Sequence, residues 1–369
     1  MKVLIAGDYY PSGRVKRIIE SKDYASVFND IIPIVKSSDY SIVNYESPVV
    51  LGNYAPIKKC GPNLSSTKNA VEAIRYAGFK MVTLANNHIL DFGPEALRDT
   101  VKTCNEYEID TVGVGNDLSE ASKIFYKTIN NKILAIINCC EHEFSIATAN
   151  SAGANPLNPI QQYYKIKEAK ENADYVLVIV HGGHEHFQLP SPRMVETYRF
   201  FVDAGADAVV NHHQHCFSGY EYYNGKPIFY GLGNFCFDYG LKARSSWFEG
   251  YLIQLDFENE NVILFPYLQC KEEAKIVLKG SDLFNQELIN INKIISDKRA
   301  LNKEIGNYYK SWSKSMLRIF EPYNNKISMK LFYHKLLPSF FTRKKSMYVR
   351  NIINCESHLE KLKYTLDNN

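Results

Sequence analysis

Between residue 1 and about residue 236, short apolar runs alternate with segments of helical period, a rhythm that restricts the chain to an α/β architecture built from βα units. The expected strands are Val3 to Ala6, Ser41 to Asn44, Met81 to Ala85, Thr111 to Val114, Ile133 to Asn138, Tyr175 to Val180 and Ala208 to Val210. Between them the pattern predicts helices over Tyr24 to Val35, Thr67 to Ala77, Pro94 to Cys104, Ile160 to Asn172 and Pro192 to Ala204. Pro94 and Pro192 each open a helix, where a missing N–H removes no hydrogen bond. The character then changes. Tyr220 to Tyr230 reads as a hairpin about Asn224-Gly225, and Gly250 to Phe257 with Val262 to Tyr267 as a second one. The pattern closes a first domain over residues 1–275 and leaves 276–369 as a helical extension, with helices over Leu283 to Ile295, Ile305 to Ile319 and Tyr348 to Leu366.

A chain of 369 residues with 45% hydrophobic and 22% charged residues has room for one large domain with an appendage, or for two domains. No stretch approaches the roughly 20 apolar residues of a membrane span. Met1-Lys2 runs directly into a strand pattern and leaves no room for a signal peptide. Eight cysteines form no CxxC pair, and Cys139-Cys140 are adjacent, so they read as reduced thiols. Together these features predict a soluble cytoplasmic protein. The net charge of +3 hides an asymmetry: residues 301–369 carry 13 Lys and Arg against 5 Asp and Glu, which leaves 30 against 35 in the rest.

Acids, amides and histidines gather at the carboxyl ends of the expected strands, the edge at which open α/β sheets bind ligands. Asp8 follows the first strand, Glu46 the second, Asn86-Asn87-His88 the third, His181 to His186 the sixth and His212-His213-Gln214-His215 the seventh. Taken singly, several have plain structural readings: Asp8 as a cap, Glu46 as an exposed loop acid, Asn86-Asn87 as a turn, His88 as a satisfied buried histidine. His181-Gly-Gly-His-Glu-His186 is harder to read that way, because buried imidazoles in that density need partners or a metal. In an extended segment His213 and His215 would face one side and address a single point.

Here the residues resemble a family. Gly7-Asp8, Asn44-Tyr-Glu-Ser-Pro48, Leu84-Ala-Asn-Asn-His-Ile-Leu-Asp-Phe-Gly93, His181-Gly-Gly-His-Glu185, His212-His-Gln-His215 and Tyr223 to Phe235 are similar, in order, to the motifs of the CapA family of capsule and poly-γ-glutamate synthesis proteins. That family resembles the calcineurin-like metallophosphoesterases. The resemblance, which covers roughly residues 1 to 240, implies an α/β fold, a four-layer αββα metallophosphatase-like sandwich, to which the pattern adds the C-terminal helical extension. It also implies two divalent metal ions (Mn, Fe or Zn) held by Asp8, Glu46, Asn87, His181, His213 and His215, with Glu46 bridging. His88 would protonate a leaving oxygen, and Asp91 would orient it or cap a helix. The pattern departs at Tyr10, which replaces a histidine of the superfamily, so either His184, Glu185 or His212 would complete the set or the site would hold only one tight metal. Gly182, Asn211 and Gln214 replace the family's usual Trp, Gly and Pro.

The implied function is a metal-dependent hydrolase, a phosphoesterase, in capsule or exopolysaccharide biosynthesis, acting on a phosphorylated small molecule or glycan precursor. The alternatives are a non-catalytic metal-containing subunit of a membrane-associated polymer-synthesis complex, or an amide hydrolase at the same metals. In the tail, Lys326 to Arg350 interleaves basic and aromatic residues. It reads either as an interfacial segment on anionic membrane or capsule-synthesis machinery, or as an appendage that covers an edge of the domain. Nucleic acid is not an expected partner, because the main domain is acidic and no recognition motif occurs.

Overall fold

In the computed structural model, which describes residues 1–240, 245–318, 321–323, 325–354 and 366, the apolar runs become strands. They are β1 (Lys2–Tyr9), β2 (Tyr40–Tyr45), β3 (Met81–Thr83), β4 (Asp110–Val112), β5 (Val114–Gly115), β6 (Phe125–Ile129), β7 (Lys132–Cys140), β8 (Gly153–Ala154), β9 (Tyr175–His181), β10 (Ala208–His212), β11 (Tyr220–Tyr223), β12 (Lys226–Phe229), β13 (Asn234–Cys236), β14 (Glu249–Asp256), β15 (Asn261–Gln269) and β16 (Ile276–Leu278). One sheet runs β16-β15-β14-β1-β2-β3-β4, with β13 also on β1; a second runs β11-β12-β10-β9-β7-β6. The parallel strands β1, β2, β7, β9 and β10 are almost entirely buried and so read as continuous apolar runs rather than alternating ones.

The helices of the main body are α1 (Gly13–Glu20), α2 (Ala25–Phe28), α3 (Ile32–Lys36), α4 (Lys68–Ala77), α5 (Gly93–Glu106), α6 (Leu118–Ala121), α7 (Pro159–Asn172), α8 (Pro192–Ala204) and α9 (Ser281–Ser296). α5 packs on β4 and against α4, while α7 packs on β7 and β9 and α8 on β10. Helices thus cover both outer faces, and the chain forms the expected four-layer αββα sandwich. The single helix predicted over Tyr24 to Val35 is instead α2 and α3. Pro33 lies in the first turn of α3; in a continuous helix it would leave the Asn29 carbonyl without its donor and push its ring against it.

Met1–Leu301 forms one compact unit and Asn302–Asn369 a second. The first therefore includes β16 and α9, both past residue 275. α10 (Lys298–Arg318), α11 (Lys326–Tyr333) and α12 (Arg343–Asn354) follow. Ile319, and residues 355–365 of the helix expected over Tyr348 to Leu366, lie outside the described residues. Among the described residues no helix is long and apolar enough to cross a membrane. The cysteines at 104, 139, 140, 236 and 270 are buried free thiols, Cys60 is an exposed one, and Cys216 is buried.

Candidate metal centre

The strand ends of both sheets deliver their polar residues to one place. Asp8 lies where β1 leaves β14 and pairs with β13 and β2. Glu46 follows β2, Asn87 and His88 follow β3, His181 ends β9, and His213 and His215 follow β10. All seven are buried. The segment bearing His213 and His215 is not extended, as the same-side reading required. β10 ends at His212, and φ is +93° at His213 and +55° at His215. Two left-handed residues turn the chain back over the sheet edge, so both rings arrive there by a strained turn rather than by strand alternation.

Two triads share one carboxylate. In Glu46, His181 and His213, and again in Asp8, Glu46 and His215, one ligand atom from each residue lies within 4.8 Å of the others. Both Glu46 oxygens are buried without a hydrogen-bond partner. His181 Nε2 and His215 Nε2 each stand 3.6 Å from Glu46 Oε1. His181 Nε2 also faces Asn87 Oδ1 at 3.1 Å and His213 Nδ1 at 3.1 Å. A single N–H can serve one of those three acceptors, and the remaining lone pairs stay aimed at the same space. Burial, reinforced by His213 and the other neighbouring imidazoles, pushes the His181 and His215 pKa values well below the usual range, so both rings are neutral. Burial and then Asp8 hold the Glu46 carboxyl well above its usual range. Electron pairs converging with too few protons to bridge them are the environment that a bound cation satisfies, and the mixed O and N donors suit a divalent transition metal.

Surrounding amides aim these groups. Asn234 donates to the His215 carbonyl at 3.1 Å, which leaves its Oδ1 to accept from His215 Nδ1 at 2.9 Å and turns His215 Nε2 toward Glu46. Asn44 accepts from Thr83 at 3.1 Å and donates to Asp8 Oδ1 at 2.8 Å, and the His213 backbone N–H donates to Asp8 Oδ2 at 3.1 Å. Asn44 and Asn234 sit inside the motifs quoted above, but their part in orienting ligands follows only from these contacts.

Beside the triads, His88 directs Nε2 to within 4.0 Å of Glu46 Oε1. Its Nδ1 lies 2.6 Å from Asp91 Oδ2, which also accepts from the Leu64 backbone N–H at 2.6 Å. Asp91 therefore orients the imidazole and makes no cap for α5, whose N-cap is Phe92 with no side-chain bond. The Lys59 ammonium pairs with the other Asp91 oxygen, comes within 3.1 Å of His88 Nδ1 and sits 5.4 Å above the Phe144 ring. Only 2% of its side chain is exposed. Lys59 comes from a loop with no periodic pattern, so no sequence signal marks it. The same is true of Glu143, which accepts from Asn87 Nδ2 at 3.1 Å and approaches His213 Nε2 at 3.8 Å.

The remaining candidates lie outside the triads. His212 is buried with neither ring nitrogen hydrogen-bonded; its Nδ1 is 3.6 Å from Asp8 Oδ1, and burial lowers its pKa to about 3. His184 is half-buried, with its pKa lowered chiefly by burial, and Glu185 is exposed. Tyr10 packs edge-on against Phe237 at 5.0 Å. A Cβ on Gly182 would come within 2.6 Å of the Glu141 side chain, which pairs with Arg193. That pair fills the space a larger residue would need.

Burial raises the Asp8 carboxyl to about 6, against smaller opposing effects from Asn44 and His213. This carboxyl and that of Glu46, also raised by burial, must lose their protons to bind a cation, whereas His181, His212 and His215 are already neutral. Metal affinity is therefore expected to weaken as pH falls through 6, by about tenfold per pH unit for each proton displaced, with proton release on binding. Calorimetric titration with Mn²⁺ at several pH values checks this; an affinity that stays flat between pH 5 and pH 7 would contradict it.

The model of the bacterial capsule synthesis protein PGA_cap family matches residues 2–239, a span that contains every candidate ligand described above. The chain belongs to this family. It is 36% identical over 248 residues to the capsule biosynthesis protein CapA of Bacillus anthracis, covering 65% of this chain and 60% of that protein. It is also 36% identical over 245 residues to the PGA biosynthesis protein CapA of Bacillus subtilis (strain 168), covering 65% and 64%. The chain thus spans less than two thirds of the length of these relatives. A putative 5'-nucleotidase from Staphylococcus aureus, solved with α-ketoglutarate, is 14% identical and covers 80% of this chain and 58% of its own, at a TM-score of 0.46. That score is too low to add to the fold assignment, which rests on the two sheets.

Proposed function

We propose that this PGA_cap-family chain is a metal-dependent phosphoesterase serving capsule or exopolysaccharide synthesis, with a phosphorylated or lipid-linked glycan precursor as substrate. The observation that supports it most directly is Glu46, a buried carboxylate with two unpartnered oxygens at the junction of two ligand triads. Asp8, Glu46 and His215 would hold one divalent cation, and Glu46, His181 and His213, with Asn87, the other. Such a pair, when bound, supplies a nucleophilic hydroxide at neutral pH and neutralises charge on the phosphoryl oxygens.

The protein's own contribution is orientation and one proton. Asp91 pins His88 Nδ1, which turns Nε2 toward the site to donate to the departing oxygen. Lys59 and the Leu64 N–H hold Asp91 in place, so Asp91 and Lys59 are positioning residues. Burial keeps bulk water from competing at these atoms.

His88→Ala is expected to lower turnover of an aryl phosphate by about 10²- to 10⁴-fold while leaving bound metal unchanged. Metal analysis and steady-state assay of the Mn²⁺-loaded protein check both halves. Inactivity of the wild type across a broad phosphoester panel would reject the assignment.

A further inference from the structure

The second unit carries a surface that hydrolysis does not use. Between residues 326 and 350 the sequence has seven Lys or Arg and no Asp or Glu. Glu321, just before this stretch, turns its carboxylate onto the Ser339 hydroxyl and the backbone N–H groups of Phe340 at 2.7 Å and Phe341 at 3.2 Å, closing the loop between α11 and α12. The ring of Phe332 lies 5.2 Å from that of Tyr323, whose hydroxyl donates to the Pro338 carbonyl at 2.5 Å. These contacts hold the local structure together.

Large apolar side chains are left facing water. Ile327 and Leu331 lie one turn apart on α11, and Ile327 is 75% exposed. Leu336 is 68% exposed, Phe340 53%, and Met347 on α12 66%.

We propose that this cationic, apolar surface binds an anionic lipid bilayer, lying in the interface without crossing it. Charge complementarity supports the choice: seven cations with no interspersed acid match a negatively charged headgroup layer, and the acyl boundary beneath it accepts Ile, Leu, Phe and Met. A nucleic acid would neutralise the cations and leave those side chains in water. A second copy of the chain would set like charge against like charge. The surface would concentrate the metal-bearing unit where lipid-linked substrates reside; its existence does not depend on that unit being an enzyme.

The test is co-sedimentation of the full chain with vesicles of phosphatidylcholine containing one third phosphatidylglycerol, against vesicles of phosphatidylcholine alone. Binding is expected only to the anionic vesicles, and raising salt from roughly 0.05 to 0.5 M is expected to weaken it. Replacing Lys330 and Lys344 with Gln should reduce affinity by about 25-fold, since each basic residue near such a surface contributes about fivefold. Leu336→Asp should also weaken it, with circular dichroism and metal content unchanged. Absence of vesicle binding, equal binding to neutral vesicles, binding to heparin or DNA without vesicle binding, or lipid-free self-association abolished by Leu336→Asp would each overturn the proposal.

Discussion

Glu46→Gln is expected to make the metal-free protein more stable and to abolish the stabilisation that metal provides. In the wild type both Glu46 oxygens are buried without partners, 3.6 Å from the neutral imidazole nitrogens of His181 and His215. Charging that carboxyl is costly, as its elevated pKa indicates, and a neutral amide of the same shape removes the cost. The substitution also removes the one group common to both triads, so neither triad stays complete. Thermal melts with and without Mn²⁺ separate the two effects. At a metal concentration 100 times its Kd the wild type should gain about 2.7 kcal/mol, and the variant essentially none. A metal-free variant that melts below the wild type, or one that still gains stability with Mn²⁺, would show that Glu46 is not the shared ligand.

Gly7→Ala is expected to destabilise the fold by about 3 kcal/mol, and to weaken metal binding with it. A Cβ at residue 7 would stand 1.9 Å from the Gly233 carbonyl oxygen and 2.9 Å from its carbon, both backbone atoms that no rotamer change can move aside. β1 would have to separate from β13, losing the 3.1 Å hydrogen bond from the Asp8 N–H to Gly233 and the register that places Asp8 beside Asn234. Asn234 in turn orients His215, so a steric change in the backbone would reach the second triad through two contacts. Gly233, at φ +79°, adopts a backbone conformation that few other residues take. Urea unfolding monitored together with Mn²⁺ affinity tests this. A wild-type midpoint would mean that the crossing is looser than the distances imply.

Much of the site was legible before any tertiary contact was known, because parallel strands buried on both faces announce themselves as apolar runs and their ends mark one rim. Asp8, Glu46, Asn87, His181 and the pair His213 and His215 all stood at such ends. The unforeseen elements have specific causes. β6, with one face half-exposed, is short and carries Lys127 and Thr128 among its apolar residues. β13 has only three residues and is recruited by β1 rather than by any pattern of its own. The turn at His213 to His215 depends on left-handed backbone angles that histidine tolerates but does not signal.

The sequence by itself determined the class of fold, the buried parallel strands and the chemical type of each side chain at the rim, since these depend on periodicity and residue identity over a few neighbouring positions. Tertiary structure alone decided that Glu46 is shared by two triads, which amide aims which imidazole, and that Lys59 crosses from an unpatterned loop to hold Asp91. Those outcomes depend on how two sheets and their loops pack against each other, and packing over such separations leaves no local trace in the order of residues.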